Sequence, residues 1–229
     1  MKEAIVQIQG LNFCYQKEKP LFQDTRAVFY RGQITGIVGL SGCGKSTLLR
    51  LINGNLRIDK WPKASGKILI EGMNRDAWNP DELIQKMGTV YQDPDCQILF
   101  SHVEDEWVFG MENYQFSQEE MDARMAAVCD LLQIHHLRHR NPNELSGGEK
   151  QLVILASILC LEAEIFILDE CMTQVDVEGR QLIFTALKRL KAAGKTLILV
   201  EHEEEHLQIA DRVYRLQDQK LTEEREKGL

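Results

Sequence analysis

The sequence predicts an α/β domain built on a mainly parallel sheet, with a helical subdomain inserted near its middle. Three observations carry this. Short runs rich in β-branched residues alternate with stretches of helical periodicity, the pattern of βαβ units. One such run, Ile34 to Val38, ends at a glycine-rich loop that opens a helix. Residues 93 to 145 hold helical patterns and no convincing strand, which reads as an insertion.

The elements follow in order. Ala4 to Ile8 and Ala27 to Tyr30 read as early strands, and Ile34 to Val38 as a third. Lys45 to Asn53 has helical spacing, with Gly54 placed to close it. Lys67 to Ile70 and Gly88 to Tyr91 are further strands. Ser117 to Leu132 is an amphipathic helix whose Ser-Gln-Glu-Glu start is a capping box, with Ser117 as N-cap and Glu120 reaching back. Gly147 to Leu161 is a helix, Ile165 to Leu168 a strand, Val177 to Ala193 a helix and Thr196 to Val200 a strand. Arg212 to Leu216 reads as the last strand, followed by a charged tail from Asp218 to Leu229. No repeat period or Gly/Ser linker divides the chain. It reads as one domain over 1–229, with a core of 1–92 and 146–229 around a helical subdomain of 93–145.

Composition narrows the classes. Of 229 residues, 44% are hydrophobic and 27% charged, which excludes wholesale disorder. A net charge of -8 without a basic block argues against a nucleic-acid partner. No apolar stretch reaches the roughly 18 residues that a membrane span needs. The start, MKEAIVQIQG, lacks the apolar region of a signal peptide. The 6 cysteines form no CxxC pair and no zinc spacing, which fits free thiols in a reducing cytoplasm.

Two motifs carry chemistry on their own. Gly39 to Ser46 (GLSGCGKS) matches G-x-x-x-x-G-K-[ST] and lies between a strand and a helix, as the motif requires. Its glycines let backbone N–H groups turn toward phosphate oxygens, and the helix N-terminus adds its dipole. Lys45 supplies a positive charge to the terminal phosphates and the Ser46 hydroxyl is placed to ligate Mg²⁺. Ile165 to Glu170 is a buried-type strand ending in two carboxylates. Parallel strands deliver their C-terminal residues to the ligand crevice, so Asp169 is placed to hold Mg²⁺ through water and Glu170 to polarise an attacking water.

Further residues resemble one family. Leu145-Ser146-Gly147-Gly148-Glu149 resembles the signature motif of ATP-binding-cassette (ABC) ATPases and stands 24 residues before Asp169 at a helix start. In order along the chain, Tyr15 resembles the adenine-stacking aromatic, Gln92 the Q-loop glutamine, Thr173 to Asp176 the D-loop and His202 the switch histidine. The resemblance implies a P-loop NTPase fold with an N-terminal antiparallel β portion. It implies ATP binding by Tyr15, Gly39, Ser41, Gly42, Cys43, Gly44, Lys45, Ser46 and Thr47, and Mg²⁺ held by Ser46, Gln92 and Asp169. Catalysis would rest on Lys45, Gln92, Glu170 and His202. It also implies a second ABC ATPase, identical or homologous, paired head to tail. Ser146, Gly147, Gly148 and Asp176 would then face the nucleotide held by the partner.

The stretch Tyr91-Gln92-Asp93-Pro94-Asp95-Cys96-Gln97 resembles energy-coupling-factor (ECF) and cobalt/nickel-type importer ATPases, as does Val103 to Asn113. This resemblance implies a subunit peripheral on the cytoplasmic face of the cell membrane. Its partners would be an integral coupling protein and a small substrate-binding membrane protein, together importing a vitamin or a transition-metal ion. Asp95 and Gln97 become candidate coupling residues, with a plain surface turn capped by Asp93-Pro94 as the other reading. An exporter ATPase and a soluble non-transport ABC ATPase are the alternatives. Three positions depart from the family: Leu152 stands where arginine is usual, Cys171 where proline is, and Thr173 where serine is. They put rate, partner geometry and the equivalence of two sites in question. The subfamily often carries a longer C-terminal extension, whereas here a short charged tail follows Leu216, so dimer contacts are expected mainly from ATP and the membrane subunits, the other reading being that the cassette derives from a tandem arrangement. Cys43 near a helix N-terminus is a candidate thiol for alkylation that ATP would block. His135 and His139, spaced i,i+4, could hold a metal on a helix, although Arg138 and Arg140 suggest a solvated face.

Overall fold

A computed structural model describes residues 2–15 and 19–226, with the side chains of residues 225 and 226 left aside. In chain order the strands are β1 (Ala4–Phe13), β2 (Phe22–Tyr30), β3 (Ile34–Val38), β4 (Ser65–Ile70), β5 (Met73–Asn74), β6 (Met87–Val90), β7 (Ile165–Asp169), β8 (Thr196–Glu201), β9 (Arg212–Gln217) and β10 (Lys220–Glu226). The helices are α1 (Lys45–Ile52), α2 (Pro80–Lys86), α3 (Val103–Asn113), α4 (Gln118–Leu132), α5 (Gly147–Cys160) and α6 (Val177–Ala192).

Two sheets form. The first is antiparallel, ordered β2-β1-β4-β5, and the second is ordered β10-β9-β3-β8-β7-β6. In the second sheet β9, β3, β8, β7 and β6 run parallel, and β10 alone is antiparallel. Every residue of β3, β7 and β8 is buried, because helices cover one face and the antiparallel sheet the other. That is why these strands read as continuous apolar runs rather than alternating ones.

The described core divides at the second sheet. On one face, residues such as Ile37, Ile167, Ile198 and Val200 pack with α1 and the antiparallel sheet. On the other, Val38, Leu168, Leu197 and Leu199 join α3 to α6. The inserted helices thus share a core with the sheet through α5. Trp107 of α3, 1% exposed, donates its indole N–H to the Val153 carbonyl at 3.1 Å inside α5.

Three sequence expectations need correction. The first strand does not stop at Ile8: Gly10, at φ 61, forms a bulge with a register shift between Ile8 and Leu11, and pairing resumes to Phe13. The second strand begins at Phe22, five residues earlier than expected, because Asp24 is absorbed at φ 44. The charged tail contains strand β10, paired to β9. Edge strands bury little, and here Leu221 is buried while Glu223 pairs with Arg212 at 2.5 Å, so no apolar pattern announces it. The capping box at Ser117 forms as read, and Ser146 with Glu149 makes a second one at the start of α5.

Candidate nucleotide site

The loop after β3 owes its path to glycine. A Cβ on Gly39 would lie 2.6 Å from the Leu216 carbonyl of β9, so a side chain is excluded by close backbone approach. Gly44 sits at φ 110 immediately before α1, a conformation that glycine adopts without strain. Lys45 is 5% exposed and bends back over the loop. Its Nζ donates to the carbonyls of Gly39 at 2.8 Å and Leu40 at 3.2 Å.

β7 presents the two acids. Glu170 is 5% exposed and holds φ 52, with its N–H donated to the Val200 carbonyl at 2.8 Å. Its carboxylate gathers three partners. Gln92 Nε2 donates to Oε2 at 2.7 Å, His202 Nε2 lies 2.7 Å from Oε1, and Lys45 Nζ is 3.7 Å from Oε1. Lys45 Nζ also lies 3.4 Å from His202 Nδ1. An ammonium group only donates, so Nδ1 accepts and the ring proton sits on Nε2, facing Glu170. Residues distant in sequence thus close into one polar ring at the mouth of the phosphate loop.

Asp169 is 3% exposed, and its Oδ1 has no hydrogen-bond partner. Burial raises its carboxyl above the ordinary range, and a hydrogen bond from Ser46 lowers it in part. A desolvated carboxylate oxygen left open beside a serine hydroxyl is a hard-oxygen donor set, which fits Mg²⁺.

The cleft has a volume of about 340 Å³, and its lining includes Tyr15, Ser41, Gly42, Lys45, Gln92 and His202. Tyr15 is 47% exposed, meets Trp61 edge-on at 5.2 Å, and shares a 3.2 Å hydrogen bond with Thr47. Trp61 carried no signal in the sequence; only the fold makes it the backing of Tyr15. Cys43 is half-buried, its Sγ 2.8 Å from where a Gly39 Cβ would stand.

Ser146, Gly147, Gly148 and Asp176 lie outside the cleft's lining. Ser146 caps α5 and Asp176 caps α6, where it accepts the Gly179 N–H at 2.8 Å. The two glycines let the D-loop pack onto the signature: a Cβ on Gly147 would sit 2.6 Å from Gln174 Oε1, and one on Gly148 3.2 Å from the Gln174 carbonyl. Of the departures, Leu152 is 8% exposed in the core beside Gly179, and Cys171 is 1% exposed with its thiol driven up by burial. Thr173 donates its N–H to the Glu170 carbonyl at 3.3 Å.

Asp95 and Gln97 have different surroundings. Asp95 is exposed and pairs with Lys150 of α5 at 2.6 Å, linking the segment after Gln92 to the signature helix. The Gln97 amide turns inward, accepting the Tyr91 N–H at 2.6 Å and donating to the Thr89 carbonyl at 3.0 Å. It fastens the end of β6 and presents no free amide. Buried Glu106, which sequence reading passed over, accepts the N–H groups of Leu99 and Phe100 at 2.9 and 3.1 Å and holds that loop. The histidine pair separates: His135–Leu137 is a short 3₁₀ turn, His135 meets Asp130 at 2.6 Å and His139 meets Glu104 at 3.1 Å. The i,i+4 metal reading fails because the segment is not α-helical, and no metal-binding cluster occurs among the described residues.

Comparison with known proteins agrees with this geometry. The ABC transporter family profile matches residues 22–173. The energy-coupling factor transporter ATP-binding protein EcfA1 of Oenococcus oeni is 36% identical over 219 residues, covering 95% of this chain and 77% of that one. A Methanosarcina mazei protein described as an ABC transporter ATP-binding protein is 36% identical over 218 residues. The chain spans 43% of that protein's length. Among solved structures, cbiO1 of Clostridium perfringens, part of the ABC transporter complex cbiONQ, superposes with a TM-score of 0.84 at 27% identity over 96% of this chain and 88% of its own. An ATP-binding cassette solved as a post-hydrolysis dimer with ADP and Pi shares the fold, with a TM-score of 0.86 at 23% identity. By motif order, by the ring around Glu170 and by these matches, the chain belongs to the ABC transporter family of ATP-binding, ATP-hydrolysing proteins.

Proposed function

We propose that this chain energises a membrane importer of the energy-coupling-factor type, carrying a micronutrient such as a vitamin or a transition-metal ion. The observation that carries the ATPase half is Glu170, gripped by Gln92, His202 and Lys45 at the mouth of the phosphate loop. The importer half rests on the EcfA1 and cbiO1 likenesses together with the Asp93 to Gln97 segment.

In this reading Tyr15, backed by Trp61, carries the adenine. The amides from Gly39 to Thr47 take the phosphates, and Lys45 leaves its carbonyl partners for the terminal phosphate. Mg²⁺, held by Ser46, Asp169 and Gln92, supplies charge neutralisation when bound. Glu170 orients water for in-line attack and His202 donates toward the γ-phosphate, so rate comes from positioning and electrostatics. Ser146, Gly147, Gly148 and Asp176 serve the site of a second cassette, so that ATP lies between two subunits. Residues 93–145 act as a helical subdomain, where Asp95 on its Lys150 tether meets the membrane subunit and Gln97 shapes that loop. The complex sits on the cytoplasmic face of the membrane and no nucleic acid takes part.

The test is purification of the tagged chain from native membranes in mild detergent, with co-purifying subunits identified by mass spectrometry. A second cassette with an integral protein and a small membrane protein is the expected result. Recovery with an exporter-type membrane domain, or in the soluble fraction alone, overturns the importer reading.

A further inference from the structure

Behind the cleft lies a buried polar relay whose residues do not line it. Glu201 ends β8, one residue before His202, and its side chain is 2% exposed. His206, on the 3₁₀ turn Glu204–Leu207, is 7% exposed and places Nδ1 3.1 Å from Glu201 Oε2. On the other side, His206 Nε2 is 3.1 Å from Arg180 Nη1. Arg180 belongs to the first turn of α6, four residues after Asp176. A guanidinium only donates, so Nε2 accepts, and the ring proton sits on Nδ1 and goes to Glu201. Glu201 also accepts the backbone N–H of Met172, two residues beyond Glu170.

The relay therefore reaches three pieces of machinery at once: the D-loop helix at Arg180, the switch strand at Glu201, and the peptide that follows Glu170. Glu170 needs such support. It is a non-glycine residue at φ 52, a strained conformation that persists only where the surroundings over-determine the backbone. We infer that His206 is a positioning residue for hydrolysis. It ties α6 to the end of β8, and through Glu201 it holds the Met172 peptide so that Glu170 keeps its left-handed backbone and its aim toward His202. His206, Arg180 and Glu201 stand outside the cleft's lining, so the relay acts on turnover and not on nucleotide affinity. Burial lowers the affinity of His206 for a second proton, which keeps the imidazole neutral and able to donate on one side and accept on the other.

Two measurements test this. The first is long-range ¹H–¹⁵N NMR of the histidine-labelled chain in alkaline buffer. The Nδ1–H tautomer is expected at His206, and it should be lost in Arg180→Met. An Nε2–H tautomer, donating instead to Glu203 at 3.5 Å, overturns the proposal. The second is ATP hydrolysis by the complex purified through this chain. His206→Leu is expected to lower kcat at least about tenfold, the scale of a sub-ångström displacement of a catalytic group, with ATP affinity unchanged. His206→Gln, whose amide both donates and accepts, is expected to recover most of the loss, and Arg180→Met to repeat it without emptying a core position. Unchanged kcat in both His206→Leu and Arg180→Met overturns the proposal. So does equal loss in His206→Gln and His206→Leu, or a fall in ATP affinity that matches the fall in kcat.

Discussion

On the proposed function, the carboxylate that follows β7 has to be buried and yet orient water. Glu170 is 5% exposed, and burying a carboxylate without partners is costly. Lys45, Gln92 and His202 resolve this by surrounding it with donors and a cation. Glu170→Gln keeps the shape and removes the charge, so hydrolysis should fall by roughly 10² to 10³-fold while ATP still binds, measured by single-turnover assay against equilibrium nucleotide binding. Glu201 shows the opposite case. Burial, with Glu170 nearby, pushes its carboxyl up to about 8 from an ordinary 4.5. The folded state holds that proton to higher pH than the unfolded chain does. This contribution to stability is full in acid and is lost as pH rises through about 8. Glu201→Gln keeps an acceptor for the Met172 N–H and cannot ionise. Thermal melts from about pH 5 to pH 9 should therefore show wild type losing on the order of 1–3 kcal/mol relative to the variant. A constant difference between the two across that range would refute it.

At the scale of elements, α5 is the hinge of the architecture. It begins at the signature, touches the Gln92 segment through Lys150 and Asp95, and runs under α3 where Trp107 anchors on Val153. The Trp107 indole is among the largest fully buried side chains described. Trp107→Ala should cost about 3–5 kcal/mol by cavity formation and lost hydrogen bonding, seen as a lower urea midpoint. Much at this scale is legible in sequence. The phosphate loop, β7 with its acids and the Ser117 and Ser146 caps are written in local patterns that need no tertiary partner to recognise. β10 is not, because an edge strand has neither an apolar face nor a turn that differs from a tail. Gly10 looks like a strand breaker, yet it forms a bulge that the neighbouring strands hold.

At the scale of the molecule, Ser146, Gly147, Gly148 and Asp176 stand outside the lining of the chain's own cleft, and on the proposed function they serve the site of a second cassette. A net charge of -8 opposes self-association of the chain. On the two-cassette reading, the Glu170→Gln chain with its partner cassette should dimerise only with ATP, by light scattering. Where that partner is a second copy of this chain, the dimer should strengthen as salt rises from low to physiological levels, because screening shortens the reach of that repulsion to about 8 Å. A dimer of equal strength without nucleotide would count against the sandwich.

The amino-acid order by itself determined the sheet class, the phosphate loop, the acid pair and the family, because each is set by short-range pattern: glycine spacing, β-branched runs and cap chemistry. Only tertiary structure decided which polar groups meet. Gln92 and His202 from two strand ends and Lys45 from the first turn of α1 converge on Glu170, Trp61 backs Tyr15, the Gln97 amide turns inward, and His135 parts from His139. The convergence on Glu170 depends on strands far apart in the sequence lying side by side in the sheet, Met87 beside Ile165 and Ile34 beside Leu197, and no local periodicity encodes that adjacency.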